Sequence, residues 1–344
     1  MAISRRSLMK RLTYALVLPS ISCVFFACAG TQSANNPSSN NKTAADGNAV
    51  VEVNQAEGKT IPIRIAYPAG MNGQIAKVME KAKIAEKKGL EAKYTFFQNG
   101  PPMMEAFASG NVDTVITSPM PVINFISRNP GKAVVVASLG NSSYSLMVPN
   151  GSSIKQAKDL RGKTIALSFG SDSHLDLLRL LKESNLNPKS DVKLLNTPPN
   201  ELQLAFERGF ADAIVIRQPQ VLKLQKKFNA QIIHTWPHRY ISVMRTDYLE
   251  KHPQAEKQYL EALRDSILFT ATNKEQASIW FSEQIRLDPE TIRQVSKDDP
   301  NYTVTKLEDV SVEVTPAIQQ TLEDWAKFSY ETGITKKEVS WNWK

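Results

Sequence analysis

From Ile61 onward the chain alternates short apolar segments with amphipathic ones, the pattern of α/β units with largely parallel strands. Ile61 to Tyr67 reads as a strand, Gln74 to Lys88 as a helix, and Ala92 to Gln98 as a second strand. A short helix over Met103 to Ser109 leads through Gly110-Asn111 into a strand at Val112 to Thr117. Pro119 to Asn129 is again helical, and Ala133 to Ser138 reads as a buried strand that completes one compact lobe.

A second series follows the exit segment Tyr144 to Pro149. It contains a strand ending near Ser168, a leucine-rich helix from Ser173, a strand at Val192 to Asn196, a helix over Pro199 to Arg208, and a strand at Ala211 to Ile216. Phe107-Ala-Ser-Gly-Asn-Val-Asp113 is echoed by Phe206-Glu-Arg-Gly-Phe-Ala-Asp212, so the two series predict two similar lobes facing each other. Arg239 to Leu249 carries the chain back, and the remainder is helical. Tyr259, Leu260, Leu263 and Ile267 share one helical face, as do Ile318, Leu322, Trp325 and Phe328, and both faces are expected to pack onto the first lobe.

The first 58 residues break this pattern. Arg5, Arg6, Lys10 and Arg11 precede the apolar run from Leu12 to Ala27, the layout of an export signal over residues 1–28. Ser4-Arg5-Arg6-Ser7-Leu8-Met9-Lys10 resembles the twin-arginine motif with Leu8 in place of Phe; an ordinary secretory signal with Arg-Arg at its basic end reads the same way. Cys28, after Phe25-Phe26-Ala27, resembles a lipobox cysteine, the alternatives being a plain signal or an uncleaved anchor. The apolar run is short for a spanning helix and carries Pro19. Residues 29–58, rich in Ser, Asn, Ala, Thr and Gly, have too little apolar surface to offset their ordering entropy and read as a tether.

Removal of the signal lowers the formal charge from +8, because 38 Lys and Arg then face 34 Asp and Glu. That balance is too mild to imply a nucleic-acid partner. Cys23 and Cys28 are the two cysteines of the chain, so the body has no thiol for a disulfide, a nucleophile or a zinc thiolate site.

The chemistry concentrates at Leu167 to Leu186, where a short strand meets the leucine-rich helix. Gly170 lets the chain turn, and a helix starting near Ser173 leaves its first N–H groups without internal acceptors. Those donors and the hydroxyls of Ser168, Ser171 and Ser173 suit an oxyanion, with His174 as a further donor. Ser171 or Asp172 serving only as a helix cap is the competing reading.

Asp159-Leu-Arg-Gly-Lys, the following strand, and Gly170-Ser-Asp-Ser-His174 with its leucine-rich helix resemble the second-lobe signature of periplasmic substrate-binding proteins for aliphatic sulfonates, taurine and nitrate. The likeness continues through Pro198 to Pro219, Phe107 to Pro119 and the helix around Trp280. It implies a periplasmic-binding-protein type II clamshell: two α/β lobes, a hinge and a C-terminal helical segment. The lobes would comprise residues 59–145 plus 243–344, and residues 146–242, with hinge crossings near Tyr144 to Pro149 and Tyr240 to Met244. It further implies a monomer that needs no cofactor, binds a small anionic solute and hands it to the permease of an ABC importer; with the export signal and the lipobox-like Cys28, the expected location is the periplasm or the outer face of the bacterial cytoplasmic membrane, with a lipid tether. Carried over position by position, the ligand side of the second lobe comprises Ser171, Ser173 and His174, with Gln218 and Pro219 at the next strand end and the adjacent Arg217 a candidate anion contact of this chain's own. The first lobe supplies Ser118, Pro119, Gln98, Asn99 and Tyr67, the last able to stack on an apolar tail or to sit as an ordinary core residue.

Three departures from the family pattern stand out. Asp172 would repel an anion if it faced inward, by about 4 kcal/mol at ~4 Å and an effective dielectric of ~20. Arg217 replaces a neutral or acidic residue, and Asn185 replaces a helix-ending Gly. Competing functions are a hydroxymethylpyrimidine-binding protein or related enzyme, and a sensory binding subunit. His234 and His238 stand four apart, but Pro237 between them argues against a two-ligand helix and favours a surface or hinge-edge loop.

Overall fold

The computed structural model describes residues 60–343. The expected export signal, Cys28 and the tether lie outside the described residues.

The first series folds as β1 (Ile61–Pro68), α1 (Gly73–Lys81), α2 (Ile84–Lys87), β2 (Leu90–Phe97), α3 (Gly100–Ala108), β3 (Thr114–Thr117) and α4 (Pro119–Ile126). The long strand β4 (Ala133–Val148) leads to the second series: β5 (Thr164–Leu167), α5 (Asp172–Glu183), β6 (Lys193–Asn196), α6 (Leu202–Glu207), β7 (Ala213–Arg217) and α7 (Gln220–Phe228). A second long strand, β8 (Gln231–Arg245), returns the chain to α8 (Thr246–Lys251), α9 (Ala255–Thr272), α10 (Lys274–Ile285), α11 (Pro289–Ser296) and α12 (Pro316–Glu331).

One sheet runs through the molecule in the order β2-β1-β3-β8-β4-β7-β5-β6. Each series forms a parallel trio with its first strand in the middle, and each trio joins the central antiparallel pair β4–β8 through its third strand. The echo of Phe107–Asp113 in Phe206–Asp212 is therefore structural. Gly110 and Gly209 both end their helices at positive φ, 77° and 65°. Asp113 and Asp212 then bracket the first strand of their own trio: the amides of Arg64 and Thr164 donate to the respective carboxylates at 2.9 and 2.8 Å. The same pair of aspartate amides donates back to the carbonyls of Arg64 and Thr164.

The two trios and their helices are the lobes of a clamshell, and β4 with β8 crosses from one to the other. The expected divisions at 145/146 and 242/243 both fall inside these strands. Val134 and Met244 pair in the first half, Leu146 and His234 in the second, with a shift in register between Ser138 and Asn141. Two separate strands were expected between Ala133 and Pro149; the polar run Gly140 to Ser143 instead continues as a half-buried irregular stretch of one strand. Gly140 is required there, at φ 108°, because an added Cβ would lie 2.5 Å from the Asp299 carboxylate. Likewise the expected helix over Gln74 to Lys88 is two helices, broken where Lys83 adopts φ 51°.

Ile63, Ile65, Met79, Tyr259, Leu263 and Ile267 share the largest core, so the α9 face packs on the first lobe as expected. Helix α12 differs. Leu322 packs into the first lobe, whereas Phe328 joins Met120 and Ile123 of α4 and Leu175 and Leu178 of α5. Arg179 and Lys182 of α5 also lie over the Phe328 ring. The expectation that this whole face serves the first lobe is thus corrected. An apolar stripe reports that something will cover it, and only the chain path decides which lobe does so.

Candidate functional site

A cavity of about 620 Å³ opens between the lobes, at the carboxyl ends of β1, β3, β5 and β7. This is where open α/β sheets gather loops and helix N-termini. Its most defined wall is the β5–α5 junction. Gly170 turns the chain at φ 71°, and Ser171 follows in an extended conformation as the N-cap of α5. The Ser171 hydroxyl donates to the Ser168 carbonyl at 2.6 Å and lies 2.7 Å from the Ser173 hydroxyl, so the serines fix the loop by bonding one another. The amides of Asp172 and Ser173 find no acceptor among the described residues. They are the open end of a 12-residue helix, with its positive dipole pole.

His174 completes that wall. Its Nδ1 accepts from the Gly170 amide at 3.2 Å, which leaves Nε2 as the protonated nitrogen. Its ring stacks on Phe169, centroids 4.5 Å apart. Burial pushes its pKa down to about 4, so it acts as a neutral donor.

Asp172 does not face this cradle. It is fully buried, and its Oδ1 accepts the Met120 amide of α4 at 2.7 Å. Its Oδ2 lies 2.8 Å from His238 Nδ1, close enough for an ion pair though not aligned as a hydrogen bond. The carboxylate is engaged by the opposing helix, and Asp172 is not among the residues that line the cavity. Neighbouring Asn124 on α4 donates to the Gly170 carbonyl at 2.8 Å, a second link between the lobes.

Arg217, at the end of β7, reaches toward the first lobe, its Nη2 3.5 Å from the Gln98 carbonyl. The cleft is also lined by Glu105 and Arg128, but Arg217 itself has no carboxylate within ion-pair distance among the described residues.

Of the residues singled out in the sequence, Gln98, Asn99, Ser118, Ser168, Gly170, Ser171, Ser173, His174 and Arg217 line this cavity together. Four stand outside it. Tyr67 is buried in the first-lobe core, where its hydroxyl donates to Glu80 at 3.3 Å; strand alternation turned it inward, away from the cleft. Pro119 is buried in the first turn of α4. Gln218 accepts the Leu222 amide and Pro219 caps α7, so this loop presents Gln220 to the cavity instead. Asn72, Asn124, Tyr144 and His238 also line the cleft and were not selected. His238 lies within β8, 2% exposed, between the rings of Tyr144 and Tyr240, which corrects the expected surface loop. Alternate burial of Trp236, His238 and Tyr240 is the strand signal that could have placed it.

Residues 86–277 match the family model described as NMT1/THI5 like. The chain belongs to the NMT1/THI5-like family. Among its relatives, a Bacillus subtilis protein named a putative aliphatic sulfonates-binding protein is 26% identical over 74% of this chain and 76% of its own length. The taurine-binding periplasmic protein of Escherichia coli is 25% identical, over 80% of this chain and 88% of its own. Two solved structures share the fold of this NMT1/THI5-like chain. The alkanesulfonate-binding protein of Xanthomonas axonopodis pv. citri, bound to MOPS, superposes with a TM-score of 0.70 at 18% identity, covering 82% of this chain and 96% of that one. The periplasmic aliphatic sulphonate binding protein of Escherichia coli gives 0.67 at 21% identity, with 81% and 89% covered.

Proposed function

We propose that this chain is the extracytoplasmic solute-binding component of an ABC importer and closes its lobes on a small oxyanion of the sulfonate, taurine or nitrate type. The observation that carries this reading is that the open N-terminus of α5 and Arg217, which has no carboxylate in ion-pair range, line one interlobe cleft. Amides at a helix N-terminus and a guanidinium are donors matched to tetrahedral or planar oxyanions. The names borne by the relatives favour the sulfonate class. Binding and release need no nucleophile; contacts from both lobes favour closure by the difference in affinity between the closed and open forms.

In this reading the chain is exported, is held at the outer face of the cytoplasmic membrane by lipid on Cys28, and acts as a monomer with residues 59–145 and 243–344 forming one lobe and 146–242 the other. A permease reads the closed rims.

Thermal unfolding with taurine, alkanesulfonates and nitrate tests the proposal. A true ligand at 100 times its Kd adds about 2.7 kcal/mol. Arg217→Ala should weaken that ligand by more than about tenfold, as loss of a charge-assisted hydrogen bond does. No stabilisation by any of these anions, or full affinity in Arg217→Ala, overturns the anion assignment.

A further inference from the structure

A second, smaller cavity lies where the crossing strands β4 and β8 pass the start of α1 and the segment that follows α11. It measures about 30 Å³, room for one or two particles the size of water. Met71, Ile75, Ile267 and Val295 give it apolar sides. Asn72 lines both this cavity and the interlobe cleft.

The polar groups in its wall are left over by the fold. Asn72, Gln74 and Tyr240 are each 3% exposed, and Tyr302 is 5% exposed. Asn72 Oδ1, Gln74 Nε2 and the hydroxyls of Ser142, Tyr240 and Tyr302 are buried without an aligned hydrogen bond among the described residues. The Ser142 hydroxyl stands near that of Tyr240, and Ser278 and Ser296 stand near that of Tyr302. Buried polar atoms of this kind ordinarily hold water or an ion.

Gln74 bears on which of the two it is. Its Oε1 lies 3.3 Å from the Ser296 hydroxyl, whose single proton already has the Ile292 carbonyl at 2.9 Å. With the amide turned end for end, Nε2 donates to a lone pair of that hydroxyl and Oε1 faces the cavity; such networks are what assign the two ends of an amide. The wall then offers two amide oxygens, three hydroxyls and the Asp299 carboxylate. Asp299 accepts the Asn301 amide at 3.0 Å, and no Lys, Arg or His lies in ion-pair range of it among the described residues. No cationic side chain lines the cavity. Hard cations take oxygen ligands, and one carboxylate matches one positive charge. A multivalent metal lacks the charge it needs, because no cluster of three or more His, Cys, Asp and Glu occurs among the described residues.

We infer that this hinge cavity is a site for one small monovalent cation of the sodium, potassium or ammonium kind, held by Asp299 and the oxygens of Asn72, Ser142 and Tyr240. Such an ion ties α1, both crossing strands and the segment after α11 to one point. The inference is independent of the anion reading, since it uses none of the residues assigned to the solute.

Thermal unfolding of the purified chain at pH 8 tests it, in sodium, potassium, ammonium or tetramethylammonium chloride at equal concentration. Tetramethylammonium is too large for the cavity and serves as the reference. At least one small cation should raise the midpoint over that reference, by about 5 °C at 100 times its Kd, and the order among the three identifies the preferred ion. Asp299→Asn should abolish the difference between salts. Ser142→Ala removes a hydroxyl that has no aligned bond, so it leaves folding intact; it should reduce the difference in part and decides the matter if Asp299→Asn does not fold. Equal midpoints in all four salts, or a difference that persists undiminished in the folded variants, overturns the cation site and leaves water as the occupant of the cavity.

Discussion

Two helix N-termini meet across the cleft, and they have been treated oppositely. Helix α4 begins Pro119-Met120-Pro121, so two of its first three residues have no N–H to offer, and the Met120 amide is taken by Asp172 of the other lobe. Helix α5 begins Asp172-Ser173-His174 and leaves the first two amides open. A positive helix end attracts an anion in either case. At α4 the chain supplies that anion from its own side chain; at α5 the vacancy is turned toward the cavity. The contrast teaches that a carboxylate next to an anion cradle in the sequence can be turned onto another helix end instead of into the cavity. Asp172 satisfies the helix end that faces it and leaves the neighbouring one for solute.

The largest test of this contrast removes the internal anion. Asp172→Ala strips the Met120 amide and His238 of their shared partner in a fully buried setting. Loss of one partner from such a buried charged contact costs about 3–5 kcal/mol, to be read as a lower urea midpoint. A change under about 1 kcal/mol would mean that α4 does not depend on the carboxylate.

An effect set by pH is expected one turn along α5. Asp176 is 4% exposed, and burial, reinforced by the charge of Asp172 and opposed by Arg179, pushes its pKa up to about 8. Its unfolded value is about 3.9. A raised folded value means that its contribution to stability is complete below about pH 3.9 and is lost as pH rises through about 8. Asp176→Asn should therefore raise the unfolding temperature, with a gain that grows from pH 5 to pH 8 and then levels. A gain independent of pH would show that Asp176 is not held neutral.

The smallest expected effect is at His174, where a flat response is informative. Its folded pKa near 4 lies below the unfolded value of about 6.5, so its contribution is present above about pH 6.5 and is lost as pH falls toward 4. Between pH 7 and pH 8 the ring stays neutral, and anion affinity should not follow it. An NMR titration placing the His174 midpoint near 6.5 would instead make it a charged member of the cradle.

Much of this architecture was written in local pattern. Period-two and helical spacing placed β1, β2, β3 and α3 to within a few residues, and the paired Gly-x-x-Asp segments revealed the repeat because turn chemistry is local. Asn185 ends α5 at φ 56°, as its identity allowed. The β5–α5 loop was legible for the same reason: a strand, a glycine, small polar residues and a helix in sequence create a donor-rich junction wherever they occur. Asn124 and Tyr144 carried no such mark. Each is an ordinary helix or strand residue whose relation to the cleft depends on segments 46 and 94 positions away in the chain, as the bond from Asn124 to Gly170 and the ring contact from Tyr144 to His238 show.

The sequence by itself therefore determined the two α/β repeats, the open helix end at α5 and the absence of thiol chemistry in the body, since each follows from residues close together in the chain. Tertiary structure alone decided which charge faces which. It buried Asp172 against α4, left Arg217 unpaired in the cleft, turned Tyr67 into the core and laid α12 across both lobes. Such outcomes depend on long-range register and on the cost of burying a charge without a partner, and neither is encoded in the spacing of neighbouring residues.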